Sequence, residues 1–143
     1  MQRTKATFKA LRETVGLSQD NIAELCGVTV TSVKRWERPG RQEPPADAWK
    51  LVLNAYSEHC AAVAAALDQV DGLVEALGHD PDLVPITYYR TQEQYDALGR
   101  DPGFVGVVNA RARAIGDALL SQDIEVEWRY PEEGAVRTEG SNY

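Results

Sequence analysis

A sevenfold periodicity in the middle of the chain constrains its fold more than any other feature. Trp49, Tyr56, Val63, Val70 and Leu77 recur every seven residues, and Val52, Leu53, Ala66, Leu67, Leu73 and Val74 fill neighbouring positions of the same face. Apolar residues at this spacing line one side of a helix, and the stripe is wide rather than a two-position seam. Read as one helix from Ala46 to Leu77, with Pro45 in its first turn, the segment is about 48 Å long at 1.5 Å per residue. A small bundle of short helices covers only the first half of such a rod. The later half needs another partner, either the C-terminal part of the chain or a second copy of itself.

Short helices precede it. Phe8, Leu11 and Val15 recur at helical spacing, and Gly16 provides a left-handed stop. Ser18 stands at an N-cap position before a helix whose inner face is expected to hold Ile22, Ala23, Leu25 and Cys26. Gly27-Val28 makes a tight turn. Thr29 then caps a segment from Val30 to Arg38 with Val33 and Trp36 pointing inward, stopped by Pro39-Gly40. Two short helices joined by a glycine-containing turn form a helix-turn-helix. Arg41 to Pro45 reads as a linker.

Beyond the long helix, His79-Asp80-Pro81 breaks the pattern and Val84 to Tyr89 reads as a strand, with Pro85 at its start or at an edge. Thr91-Gln92-Glu93-Gln94 fits a capping box that opens a short helix to Leu98. After a turn at Asp101-Pro102-Gly103, Val107, Ala110, Arg111, Ala114, Ile115, Ala118 and Leu119 mark another helix. In Ile124 to Tyr130, Ile124, Val126 and Trp128 or Tyr130 alternate with Glu125, Glu127 and Arg129, the pattern of a half-buried strand. The expected fold is mainly α with a small α+β C-terminal part. A helix-turn-helix domain with a long fourth helix spans 1–78, a β-α-α-β module 79–130 and a flexible tail 131–143. Two strands alone make a poor sheet, so a second subunit that adds two more is expected, and with it a homodimer.

The charge is uneven. The chain carries −7 in all, yet residues 1–45 hold eight basic and five acidic side chains, a balance of +3, and the remainder holds −10. A basic module joined to an acidic one fits an N-terminal part that meets a polyanion. The longest apolar run, Cys60 to Leu67, has eight residues, against the roughly 18 of a membrane span. The first residues lack the apolar stretch of a secretion signal. Cys26 and Cys60 form no disulfide framework and read as buried small side chains, and a cytoplasmic location with no membrane partner is expected.

Residues 8–40, FKALRETVGLSQDNIAELCGVTVTSVKRWERPG, resemble the Cro/C1-type (XRE-like) helix-turn-helix of phage and bacterial repressors, on the signature LR…GLSQ..IAELCGV….V..WE. More loosely, WERPG, the long helix and VPITYYRTQEQYDALGRDPGFVGVVNARARAIGDALL are similar to the anti-CRISPR-associated repressors and the related YdiL-like (DUF1870-like) regulators, which carry a β-α-α-β dimerisation module. The resemblance implies a homodimeric repressor reading a palindromic operator in double-stranded DNA through helix 30–38. By alignment, Val30, Thr31, Ser32 and Arg35 face the bases. Arg35 is first among them, because a guanidinium can pair with guanine O6 and N7. Gln19 matches a glutamine that approaches the DNA backbone, and Thr29, Lys34, Arg38 and Arg41 are the other phosphate-binding candidates. Arg12 and Glu37 match a structural ion pair, and Lys5 and Lys9 are expected in water. The family form reads WE-x-G, whereas Trp36-Glu37-Arg38-Pro39-Gly40 is one residue longer, which alters the exit of the recognition helix.

Other chemistries are less well served. Cys26, His59, Cys60 and His79 supply metal-capable atoms, but neither CxxC nor HxxxH spacing occurs, and no metal or cofactor is expected. No carboxylate pair has a positioning reason for acid–base work, so no catalytic residue is assigned and an enzyme is not expected. The alternative reading is an antitoxin-like or other protein-binding module whose C-terminal part captures a partner. A third is a sensor with Tyr88, Tyr89, Tyr95 and Trp128 around a small molecule, although packing between strands and helices explains those rings more simply.

Overall fold

A computed structural model of the chain describes residues 1–133. The protein is mainly helical, with elements in the order α1 (Lys5–Val15), α2 (Gln19–Cys26), α3 (Val30–Trp36), α4 (Ala46–Leu77), β1 (Val84–Thr87), α5 (Gln92–Leu98), α6 (Val105–Leu120) and β2 (Val126–Arg129). It divides into two compact units, Met1–Ala61 and Ala62–Tyr143, and the division falls inside α4. Among the described residues no helix is long and apolar enough to cross a membrane.

In the first unit each short helix is fixed at its ends by side chains adjacent in sequence. Thr4 accepts from the Thr7 amide to cap α1, and Gly16 closes it with φ of 82°. The amides of Gly16 and Leu17 return to the carbonyls of Glu13 and Arg12, which satisfies the last groups of the helix. That closure buries Leu17 beside Phe8, Leu11 and Val15. The core of the unit adds Ile22, Ala23, Val33, Trp36, Ala48, Trp49 and Val52. Phe8 meets Trp36 and Trp49 edge to face, with ring centroids 6.2 and 5.3 Å away, the arrangement aromatic quadrupoles favour. Pro45 precedes α4, and its carbonyl accepts from the Trp49 amide.

Two apolar placements differ from expectation. Leu25, assigned to the inner face of α2, is 50% exposed. With only eight residues, α2 buries a stripe centred on Ile22 and Ala23, and Leu25 falls past its edge. Cys60 is exposed on α4, whereas Cys26 is half-buried. Burial, with Asp47 nearby, pushes the Cys26 thiol pKa up. The Tyr56 hydroxyl, one helical turn before Cys60, is also raised by its hydrogen bond to that thiol.

In the second unit β1 and β2 pair in parallel, Val84 opposite Val126, Ile86 opposite Trp128 and Thr87 opposite Arg129. Parallel pairing follows from the two-helix crossover between them. Both strands are shorter than their sequence patterns. Helix α6 packs on the sheet face that carries Trp128, whose indole donates to the Ala112 carbonyl at 3.0 Å. Small residues on α6 permit the approach: a Cβ at Gly116 would lie 2.1 Å from the Trp128 ring. Asn109 clips the end of β1, accepting from the Tyr89 amide and donating to the Tyr89 carbonyl. Gln92 accepts from the Val105 amide, capping α6 where Phe104 offers no side-chain acceptor. The aromatic cluster splits. Tyr89 and Tyr95 stack edge to face, while Tyr88 and Trp128 line a separate open groove with Arg113 and Asp117. The flexible tail expected over 131–143 lies outside the described residues from residue 134 onward. Ahead of it, Glu132 pairs with Arg90 and Gln94.

Candidate nucleic-acid interface

The surface at issue is built by α2, the turn after it and α3. Ser18 and Asn21 cap α2 reciprocally, the Ser18 side chain accepting from the Asn21 amide and the Asn21 side chain accepting from the Ser18 amide, each at 3.0 Å. The helix ends at Gly27 (φ 67°), with the amides of Gly27 and Val28 returned to Glu24 and Ala23. The left-handed conformation lets the chain reverse within two residues. Thr29 then caps α3, its hydroxyl accepting from the Ser32 amide at 3.3 Å and lying 3.2 Å from the Ser32 hydroxyl.

Helix α3 buries Val33 and Trp36 and turns Thr31, Lys34 and Arg35 to solvent, with Val30 and Ser32 half-exposed. The helix ends at Trp36 rather than at Arg38, and the extra residue of the exit is absorbed in a turn. Arg41 donates its amide to the Arg38 carbonyl across Pro39 and Gly40, and Gly40 has φ of 76°. Proline followed by a left-handed glycine is the residue order of a type II turn. Arg38 and Arg41 are exposed at its two ends. Among the described residues, none of Lys34, Arg35, Arg38 and Arg41 is held in a salt bridge.

Behind this face Arg12 and Glu37 are locked together. Arg12 Nε donates to Glu37 Oε2 at 2.6 Å and Nη2 to Oε1 at 2.9 Å, while Nη1 reaches the Leu17 carbonyl at 3.0 Å. Both side chains are largely out of water, so the pair joins α1 to the end of α3 and leaves neither charge for an outside ligand. Gln19, a phosphate candidate, donates its side-chain amide to Glu37 Oε1 at 3.1 Å. Its side chain is thus tied to the same carboxylate, which the spacing of the sequence does not reveal.

Of the two lysines expected in water, one is there and the other is not. Lys9, expected in water, is exposed but lines one open cleft with Lys34, Ser18, Gln19 and Val30, on the side of the α2 N-terminus. Lys5, also expected in water, is mostly buried, with its ammonium turned onto backbone carbonyls at the end of α3. Its acceptors lie about thirty residues along the chain, and no local pattern announces them.

Capped helices meeting at a glycine turn, an inner face closed over Trp36 and an outer face of exposed cations define a helix-turn-helix domain, a class of fold that binds DNA. Over residues 6–67 the chain is similar to the protein family described as a helix-turn-helix domain. No curated protein matches the chain.

Proposed function

We propose that this protein is a homodimeric, sequence-specific transcriptional repressor that reads an inverted-repeat operator through α3. The observation that carries the reading is the outer face of α3 and its exit turn. Lys34, Arg35, Arg38 and Arg41 are exposed and, among the described residues, in no salt bridge, on one short stretch of a chain that is acidic overall. An α-helix fits the major groove, where Arg35 is the side chain for bidentate pairing with guanine. Val30 offers an apolar contact to a thymine methyl, and Thr31 and Ser32 offer hydroxyls. Lys34, Arg38 and Arg41 neutralise phosphates, and Thr29 and Gln19 contribute at the starts of α3 and α2, where backbone amides point outward. Arg12 and Glu37 hold these elements in register without touching DNA.

A two-fold pair of such domains places two recognition helices in successive major grooves about 34 Å apart, which matches a palindrome. The second unit, with its two-stranded sheet and the exposed Leu73 and Leu77 of α4, is the part assigned to pairing. Footprinting across the DNA upstream of the protein's own coding region at near-physiological salt tests the reading. A protected palindrome is expected, and uniform weak binding without a footprint contradicts it.

A further inference from the structure

The Lys5 ammonium donates to three backbone carbonyls at once: Trp36 at 2.9 Å, Arg35 at 3.3 Å and Gln42 at 2.5 Å. Glu43 lies 3.9 Å away at the solvent edge, and the lysine side chain is 10% exposed. Two of these carbonyls belong to the last turn of α3: that of Arg35 also accepts from the Arg38 amide at 3.1 Å, and that of Trp36 lies past the last full turn, where helical donors run out. A cation there also opposes the negative end of the helix dipole. The third lies beyond the Arg38–Arg41 turn. One ammonium therefore ties the end of the recognition helix to the linker that follows it, closing the two sides of the Pro39-Gly40 excursion.

A seven-residue helix does not hold itself in place. Thr29 fixes the start of α3 and Val33 with Trp36 fix its inner face. The exit has Glu37, bound to Arg12, and Lys5. We infer that Lys5 is a positioning residue for DNA reading: it sets the exit of α3 and the placement of Arg38 and Arg41, and it does so without touching DNA. Its three N–H groups are already engaged with carbonyls, which leaves none for a phosphate. The inference rests on the proposed DNA-binding role for its consequence, but the clamp itself is testable apart from DNA.

The chemistry of the clamp gives it a signature. A compact ammonium can aim three donors at three converging oxygens, whereas a planar guanidinium cannot. Lys5→Arg is therefore expected to behave like Lys5→Met although it keeps the charge. In the full-length protein, both variants should lower the ratio of operator to scrambled-DNA affinity by about tenfold, with the salt dependence of binding unchanged. Amide exchange at Glu37, Arg38, Gly40 and Arg41 should accelerate while that at Leu11 and Val15 does not. In the unmodified protein, the Lys5 ammonium protons should exchange far more slowly with water than those of Lys9 and Lys50, a reading that needs no variant to fold. Fast Lys5 ammonium exchange overturns the clamp. Rescue by Lys5→Arg together with a shallower salt dependence for Lys5→Met overturns it in favour of a direct phosphate contact. Unchanged discrimination in both variants removes the positioning role. If the unmodified protein selects no DNA sequence, the repressor reading fails, while the two exchange measurements still decide the clamp.

Discussion

Arg12 and Glu37, twenty-five residues apart, meet through two parallel hydrogen bonds of 2.6 and 2.9 Å beneath the recognition surface. The bidentate geometry fixes direction as well as distance, and Gln19 joins from the first turn of α2. One carboxylate thus ties together α1, α2 and the end of α3. Breaking one side strands a buried charge. Arg12→Ala or Glu37→Ala is expected to lower stability by about 3–5 kcal/mol, whereas Arg12→Met combined with Glu37→Leu should cost far less. Denaturant unfolding of the three variants checks this, and equal losses in all three contradict it.

Arg35 and Lys34 are adjacent and both exposed, yet they are assigned different work. Arg35→Ala should lose about 1–3 kcal/mol of discrimination at one base position of each half-site. Lys34→Ala should weaken every sequence alike and reduce the salt slope by about one. Binding titrations at several salt concentrations, on operator and scrambled duplexes, separate the two. Identical behaviour contradicts the assignment.

The exit turn depends on a left-handed glycine. A methyl group at Gly40 meets nothing within 4 Å, so Gly40→Ala creates no clash, only the backbone cost of φ near 76°. That cost is about 1–2 kcal/mol. Thermal unfolding should record it, and affinity for DNA should fall as the Arg41 end of the turn relaxes.

In the second unit, Gly116 is required by shape. Gly116→Ala places a methyl group in the Trp128 ring, and overpacking of this kind costs about 1–3 kcal/mol. The change should appear in Trp128 near-ultraviolet dichroism and in stability. A Trp128→Leu background, which opens space beside the helix, should tolerate the alanine better.

Tyr95 gives the second unit an alkaline limit. Burial, reinforced by the Asp101 charge, raises its phenol pKa above the usual value of 10.0. The folded state therefore holds this proton more tightly than the unfolded chain does. The resulting stability is fully present below about pH 10 and is lost as pH rises through the folded pKa. Stability measured from pH 8 to 11 should decline at the alkaline end, and the decline should be smaller in Tyr95→Phe.

What the sequence revealed and what it hid divide along contact distance. Ser18, Gly27 and Thr29 act on residues a few positions away, and their roles were readable because caps and left-handed stops have local causes. The parallel pairing of β1 with β2 follows from the two-helix crossover between them, a connection legible in the order of the elements. Lys5 escaped because the carbonyls it serves are brought to it only by the tertiary fold. Leu25 and Cys60 were misplaced because apolar spacing gives the direction of a helix face but not its width, and the edge of a stripe is decided by its neighbours.

The most direct test is selection of bound duplexes from a random pool by the full-length protein at near-physiological salt, run in parallel with Arg35→Ala. Enrichment of an inverted repeat with half-site centres about one helical turn apart, relaxed at one position per half-site by the substitution, is the predicted result. A pool that stays random, or an enriched motif indifferent to Arg35, contradicts it.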